Sequence, residues 1–364
     1  MASVAIVLYD VFETVVVPRR TGRLFRVAPH ITLWLWPLWR HIGIRLHPAW
    51  RREDFLATFG PFIIVLLLVT WVLALVFGFG LVLHALHEQV LPQPSDYPSA
   101  FYLAGTSLFT IGFGDYVPVG WAARIACLLA AAAGLAVVAL VIALVFNLYT
   151  SFARREVLVL LLDSRAGVPP SGVVFLETFG RHGIADELAS AFASYEVWTA
   201  EMLDSHLAYP ILPFFRSSHD GQSWVSALGA VLDAATLLIT AVPTGSVDAS
   251  NGLRKSRAAA EMMYSVGCHA LIDLTQIRAA RGYFDLASQQ PGIERAEFGA
   301  ACHRLGEAGY DVVCSAESWQ AFAQHRAVYA ARLNLLARFL ASPPTQWIGD
   351  RTTLTRRHVA HFGP

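Results

Sequence analysis

The residue types and spacing with the most specific chemistry occur in the hexapeptide ThrIleGlyPheGlyAsp, residues Thr110–Asp115. Backbone carbonyls can replace the water around a monovalent cation without adding charge, provided that they stack closely along one strand. Stacking requires backbone conformations that alternate, and glycine adopts those with positive φ at little steric cost. Gly112 and Gly114 meet this requirement, and the Thr110 hydroxyl can add one more oxygen. The hexapeptide therefore predicts a strand that binds a dehydrated cation.

Two long uncharged stretches flank the hexapeptide, Phe55–Leu83 and Ile125–Ala153. Each exceeds the roughly 20 apolar residues that cross a bilayer, so we predict two membrane-spanning helices. The second is rich in small residues, which indicates an inner helix packed against other helices. Between them, Ser99–Phe109 is apolar but covers only about 17 Å, which predicts a short helix that returns into the membrane. One strand cannot surround an ion, so several chains are needed.

The hexapeptide resembles the selectivity filter of the tetrameric potassium channels, with its pattern of Thr, Val or Ile, Gly, Tyr or Phe, Gly and commonly Asp. The order of outer helix, pore helix, filter and inner helix is also similar to the pore domain of that family. The resemblance implies a homotetramer, K⁺ as the permeant ion, no cofactor, and Asp115 at the outer mouth. The implied K⁺ ligands are Thr110, Ile111, Gly112, Phe113 and Gly114.

Several positions near the filter bear on its rigidity. Phe113 replaces the commoner Tyr and lacks a bracing hydroxyl, and Phe109 stands where Thr or Ser is frequent. Tyr102 lies where a pore-helix aromatic often contacts the outer aspartate, which predicts a hydrogen bond to Asp115; core packing is the alternative. Thr106 occupies a position where some members place a carboxylate. We expect both side chains to support the filter.

Gating has fewer sequence markers. Gly134 lies where inner helices of the family often carry a hinge glycine, although close helix packing also favours glycine there. No spanning helix carries an arginine ladder, so a voltage sensor of the usual kind is not expected. His84 and His87 can titrate with external pH, although exposed histidines usually have no such role. Gating by the inner-helix bundle or by the filter is expected.

The charge distribution predicts the topology. The connection between the spans carries Glu88, Asp96 and Asp115 and no arginine or lysine before Arg124. The positive-inside rule therefore places both flanks, and the C-terminus, in the cytoplasm. The resemblance implies that the membrane is a bacterial inner membrane. The arginines that precede the first span are Arg19, Arg20, Arg23, Arg26, Arg40, Arg45, Arg51 and Arg52.

The first 54 residues are expected to hold membrane-associated or interfacial helices. Residues 31–39 are too short to span and rich in Trp, which is typical of the membrane–water boundary. Residues 1–17 are apolar but contain Asp10 and Glu13 one helical turn apart. They form either a third span with both carboxylates turned toward protein, or an interfacial helix.

Residues 154–364 alternate apolar helical patterns with Pro- and Gly-rich breaks, which predicts a helical cytoplasmic domain. Residues 224–239 in particular have the periodicity of an amphipathic helix. The GxGxxG motif of a nucleotide-binding regulatory domain is missing. A polar cluster around a Pro-broken connection is the best candidate for an unknown cytoplasmic ligand or a subunit contact, although these residues can equally cap helices. Its members are His206, Arg216, His219 and Asp220.

Composition limits the remaining classes. The chain is 55% hydrophobic and 15% charged, with a mean hydropathy of +0.48, so a wholly cytosolic protein is not expected. Its 27 basic and 27 acidic residues balance, and no nucleic-acid partner is indicated. Neither a metal site nor a catalytic constellation is evident. We predict an all-α potassium channel with a membrane-associated segment (1–54), a pore domain (55–153) and a cytoplasmic domain (154–364). A non-conducting membrane sensor or scaffold with a vestigial pore is the alternative.

Overall fold

The computed structural model of the chain describes residues 2–15, 27–218, 221–243, 251–279 and 292–348. The described residues form α-helices and one ribbon of two short antiparallel strands, which confirms the predicted all-α class. The strands are β1 (Val90–Leu91) and β2 (Val117–Pro118). The helices are α1 (Ala2–Val15), α2 (Val27–Gly43), α3 (Ala49–Ala57), α4 (Phe59–Ala85), α5 (Tyr97–Leu108), α6 (Trp121–Ala166), α7 (Gly172–Arg181), α8 (Leu188–Ala208), α9 (Trp224–Ala241), α10 (Asn251–Ala279), α11 (Arg295–Glu307) and α12 (Ala316–Leu340).

The chain folds as two compact units. The first unit consists of the segments Met1–Gly43, Asp54–Thr150 and Leu207–Phe215. The second unit consists of Ile44–Glu53, Ser151–His206 and Arg216–Pro364. Each unit therefore contains segments from both sides of the two predicted spans.

Among the described residues, three helical stretches are long and apolar enough to cross a membrane: Ala49–Ala85, Trp121–Ala166 and Trp224–Ala241. The first two contain the predicted spans, and only 33% of the most apolar window of each is buried. Helix α6 continues well beyond the predicted end of its span at Ala153, because the uncharged stretch is followed by a further helical sequence.

Helix α9 differs from its predicted amphipathic character. Its apolar window is 94% buried, and only its last turn is partly open, so almost no surface is left for lipid. It lies among α7, α10 and α12, and its small residues let these neighbours pack around it. The helix is therefore the core of the second unit. The apolar periodicity showed only one of its buried faces.

Helix α1 packs against α4, and both of its carboxylates are buried. The Asp10 side chain is 1% exposed and accepts a 2.8 Å hydrogen bond from the Trp71 indole, near the middle of α4. Glu13 is also buried and accepts a 2.9 Å bond from the Tyr9 hydroxyl. Both carboxylates thus face protein, as one of the two predicted alternatives required. The opposite side of α1 carries exposed apolar residues, including Phe12.

Helix α2 extends the predicted interfacial helix on both sides. Its two faces differ sharply, since Trp36 is 2% exposed and Trp34 is 81% exposed. The Trp36 ring packs edge-on against Phe59 and Phe214. The face of α2 with Trp36 is therefore packed inside the first unit, and the face with Trp34 is exposed.

Candidate functional site

The short helix α5 leads directly into the hexapeptide. Its N-cap is Asp96, whose side chain accepts a 2.9 Å hydrogen bond from the Ser99 amide. Hydrogen bonds from Ser99 also hold the pKa of the Asp96 carboxyl below its ordinary value. At the other end, the Ile111 amide donates a 2.8 Å bond to the Thr106 carbonyl. The hexapeptide is thus fixed to the last turn of α5.

Within the hexapeptide, the sign of φ alternates from residue to residue. Thr110, Gly112 and Gly114 have φ values of 55°, 60° and 81°. The two glycines adopt these values without steric cost, as their spacing requires. Thr110 was not expected to share this conformation, which costs a β-branched residue on the order of 1–3 kcal/mol. The alternation is the feature that lets successive carbonyls point the same way.

The side chains of the hexapeptide are largely uncovered in the single chain. Ile111 is 52% exposed and Phe113 is 68% exposed. The Phe113 ring lies parallel to the Tyr102 ring of α5, with centroids 6.5 Å apart. The backbone of Gly112 and Gly114 also borders open space. One chain therefore leaves an apolar, strained strand open to solvent.

Tyr102 and Asp115 interact at the outer end of the hexapeptide. A hydrogen bond to Asp115 raises the pKa of the Tyr102 hydroxyl above its ordinary value. The Asp115 carboxylate also accepts a 3.1 Å bond from the Tyr116 amide. This interaction links the end of the hexapeptide back to the middle of α5.

Thr106 is buried, and its hydroxyl donates a 3.1 Å hydrogen bond to the Leu103 carbonyl within α5. Its own carbonyl receives the Ile111 amide described above. Thr106 therefore contacts the hexapeptide through its backbone carbonyl, while its side-chain hydroxyl bonds within α5.

Gly134 lies in the interior of α6, against the end of α5. A Cβ atom at this position would lie 2.9 Å from the Leu108 carbonyl carbon and closer still to the carbonyl oxygen, well inside van der Waals distance. Helix α6 is unbroken through this point. Close approach of the two helices is thus sufficient reason for glycine, whether or not it also serves as a hinge.

Gln89 links the loop that carries the hexapeptide to the start of α6, and it was not identified from the sequence. Its side-chain oxygen accepts hydrogen bonds from the Ala122 and Ala123 amides, at 3.1 and 3.2 Å, at the N-terminus of α6. Its backbone carbonyl accepts a 2.8 Å bond from the Val119 amide. Together with the pairing of β1 and β2, these bonds close the loop that carries the hexapeptide. A glutamine between apolar segments gives no sequence signal for this role.

The polar cluster predicted in the second unit does not form one open site among the residues described. His206 is 2% exposed, and its Nδ1 lies 2.7 Å from the Met202 carbonyl while its Nε2 lies 3.4 Å from Arg155. Arg216 makes an ion pair with Glu53. His219 and Asp220 lie outside the described residues.

The Arg216 side chain also donates hydrogen bonds of 2.6 and 2.9 Å to the Leu340 and Ala341 carbonyls. Burial lowers the pKa of its guanidinium, and Glu53 opposes that shift. By donating to these two carbonyls, Arg216 caps the C-terminal end of α12. In the described part of the chain, no group of His, Cys, Asp and Glu side chains is arranged to hold a metal ion.

Comparison with known proteins gives one family match and one relative. Residues 64–151 match a protein family described as Ion channel. The chain is also similar to the uncharacterized membrane protein YdjJ of Bacillus subtilis strain 168, with 24% identity over 219 residues. That alignment covers 58% of this chain and 61% of the relative, so the chain spans less than two thirds of the relative's length. No solved structure matches. The family match indicates an ion channel in a membrane.

Proposed function

We propose that this chain, whose residues 64–151 match an ion-channel family, forms a homotetrameric potassium channel in the bacterial cytoplasmic membrane. The observation that carries the proposal is the alternation of positive φ at Thr110, Gly112 and Gly114. Such a backbone turns successive carbonyls to one side, where they can replace the hydration shell of K⁺. In this role the carbonyls of Ile111 and Phe113 complete the set of ligands. No cofactor is needed.

The uncovered side chains support an assembly of several copies. Irregular backbone at membrane depth is tolerated only where it is buried in protein or lines a water-filled path. The single chain meets neither condition, because the hexapeptide is exposed along its length. Four copies around a common axis would cover Ile111 and Phe113 and leave the carbonyls facing the ion. Exposed apolar residues on α6, such as Leu135 and Phe146, would face neighbouring copies or lipid.

Helix α5 adds an electrostatic contribution. Its C-terminal end, at Leu108, lies directly before the hexapeptide. The last carbonyls of a helix carry a partial negative charge, which favours a cation nearby. Helix α5 therefore both positions the strand and lowers the electrostatic cost of a dehydrated cation beside it.

The arginines that flank the spans support a cytoplasmic location for both flanks and an outer location for the loop between Ala85 and Trp121. In this topology residues 1–54 are membrane-associated, residues 55–153 form the pore domain, and residues 154–364 form a cytoplasmic domain that assembles the tetramer or biases its gate. Gly134 is a position at which the inner helix can bend. We propose Asp115, Tyr102 and Thr106 as the support of the filter.

The test is ion flux through the full chain purified and reconstituted in vesicles. K⁺ and Rb⁺ should enter, Na⁺ should be excluded, and the mass of the assembly should correspond to four chains. Gly112→Ala should abolish flux, because its φ of 60° is strained for any side chain.

Gly183→Ala is a matched control for that variant. Gly183 also has a positive φ, 67°, and no atom lies within 4 Å of the place that a Cβ would take, but this glycine belongs to the second unit. The control variant should conduct like the parent chain. Equal entry of Na⁺, or an assembly that is not fourfold, would refute the proposal. A fourfold assembly without flux under any condition would instead favour the membrane sensor or scaffold.

A further inference from the structure

A small pocket of about 130 Å³, with mostly polar lining residues, lies in the second unit between α6 and α8. This volume is well below the roughly 300–1,000 Å³ of pockets that take drug-sized ligands, so the pocket suits a small group. Trp198 and Met202 are buried and form its apolar wall. Its polar lining consists of Ser151, Arg154, Arg155, Glu201, Asp204 and Ser205.

Three charged groups at this pocket have no partner within the described part of the chain. Arg154, Glu201 and Asp204 are exposed and make no hydrogen bond or ion pair there. Arg155 differs, because its guanidinium is buried and pairs with Glu156 at 2.9 Å. In the described part of the chain, the pocket is therefore lined by one unpaired cation and two unpaired carboxylates.

Helices α6 and α8 hold these charged side chains in place. The Trp198 indole donates a 2.9 Å hydrogen bond to the Arg155 carbonyl, and this bond ties α8 to α6. Glu201 and Asp204 are three residues apart on α8, so they lie on one face of that helix. The spacing of the charges is thus set by two packed helices and not by loops.

We propose that this pocket binds the phosphoethanolamine headgroup of a membrane lipid. A phosphate diester would accept hydrogen bonds from the Arg154 guanidinium, and the ammonium group would donate to Glu201 and Asp204. An anionic headgroup without an amine would place its charge against two carboxylates. A trimethylammonium group has no N–H to donate. Only the zwitterion with a primary amine complements all three charges.

The position of the pocket along α6 identifies a lipid as the source of this group. Ser151 lies within the uncharged stretch of α6, and Arg154 is the first charge after that stretch ends at Ala153. The lining therefore begins at headgroup depth if α6 spans the membrane as proposed. This step depends on the membrane placement of α6 and not on K⁺ conduction.

Binding at this pocket can be tested by lipid retention, which does not require ion flux. The full chain in nanodiscs of equal phosphatidylethanolamine, phosphatidylcholine and phosphatidylglycerol content is released into the gas phase, and bound lipids are counted by native mass spectrometry. We expect phosphatidylethanolamine to be retained about tenfold over either competitor. Arg154→Gln, and the double variant Glu201→Gln/Asp204→Asn, should each remove that preference, while Arg154→Lys should keep part of it.

Glu196→Gln is the matched control, since Glu196 lies on the same helix but does not line the pocket. It should retain lipid like the parent chain, and circular dichroism should show that every variant is folded. Equal retention of the three lipids, preference for phosphatidylglycerol, or full retention by the Arg154→Gln variant would overturn the proposal. Displacement of the lipid by an equal concentration of soluble phosphoethanolamine would overturn the lipid source. A chain that conducts no K⁺ would leave these outcomes unchanged.

Discussion

The carbonyl oxygen of Leu108, the last residue of α5, lies directly against the α-carbon of Gly134 in α6, where it occupies the space that a Cβ would need. A contact this short involves backbone on both sides, so no change of rotamer can relieve it. Because Leu108 is two residues before Thr110, the contact also fixes the depth of the hexapeptide along the inner helix.

Gly134→Ala should therefore destabilise the first unit by about 3 kcal/mol or more, through overpacking against the Leu108 carbonyl. The expected result is a lower thermal midpoint and a smaller fraction of the proposed tetramer in size-exclusion chromatography. A glycine that served only as a hinge would change open probability and leave both quantities as they are.

Gly299→Ala provides the comparison. Gly299 is inside α11, and no atom lies within 4 Å of a Cβ there. Because alanine lowers the entropy of the unfolded chain, this variant should gain about 0.5–1 kcal/mol. If the two substitutions change the free energy of unfolding in opposite directions, crowding at Gly134 is distinguished from the general effect of a helical glycine. Equal effects would contradict the packing explanation.

The sequence was sufficient for the elements whose cause is local. The two spans follow from uninterrupted apolar composition, and positive φ at Gly112 and Gly114 follows from glycine at alternate positions. Contacts between distant segments had no such signal. The buried Asp233–Arg326 pair, with its 2.9 Å bond, joins α9 to α12 across 93 residues, and each side chain alone resembles a surface charge.

The partners of His206 and Arg216 had no sequence signal either. His206 and Arg216 are close in sequence, but their partners are Arg155 and Glu53, from other segments of the chain. These two residues are close together in sequence, but they make separate tertiary contacts, which the sequence alone did not indicate.

Tyr102→Phe tests the hydrogen bond at the outer end of the hexapeptide. The variant keeps the ring that stacks on Phe113 and removes only the hydroxyl that interacts with Asp115. In the proposed channel, we expect K⁺ current to decay faster during maintained opening. Tyr97→Phe is the control, because Tyr97 is on the same helix and its contact with His84 uses the ring alone. Unchanged current decay in the Tyr102 variant would mean that the residue acts only by packing.

The raised pKa of Tyr102 also sets the pH dependence of this effect. A phenol whose folded pKa lies above its unfolded value contributes stability at all pH values below the unfolded pKa, and loses it as pH rises through the folded one. The difference between parent and Tyr102→Phe should therefore be constant from pH 7 to about 9 and should shrink above about 10. Current decay measured over this range checks it. A difference that disappears already near neutral pH would exclude the phenol as the donor.

Trp71→Phe tests how α1 is held. The indole hydrogen bond to Asp10 is buried, and bonds to charged groups contribute about 1.5–3 kcal/mol. We expect α1 to loosen, with faster proteolysis of the N-terminus in nanodiscs and a lower thermal midpoint. Trp34→Phe, at a residue that is 81% exposed, should have almost no effect. Asp10→Asn should cost less than Asp10→Ala, because the amide oxygen still accepts. Equal proteolysis of the Trp71 and Trp34 variants would argue against this bond.

Arg216→Gln should destabilise the second unit by about 2–3 kcal/mol, because it leaves the largely buried Glu53 carboxylate without its main cation and the Leu340 and Ala341 carbonyls without their donor. Glu53→Gln should cost less, since Arg216 keeps both carbonyl partners. The double variant should cost less than the sum of the two, and thermal unfolding of all three measures the coupling. Arg257 and Glu261 form an exposed pair four residues apart on α10, for which the same cycle should give below about 1 kcal/mol. If the coupling of Arg216 and Glu53 is no larger than that of the exposed pair, segment Ile44–Glu53 is not held to the second unit by this ion pair.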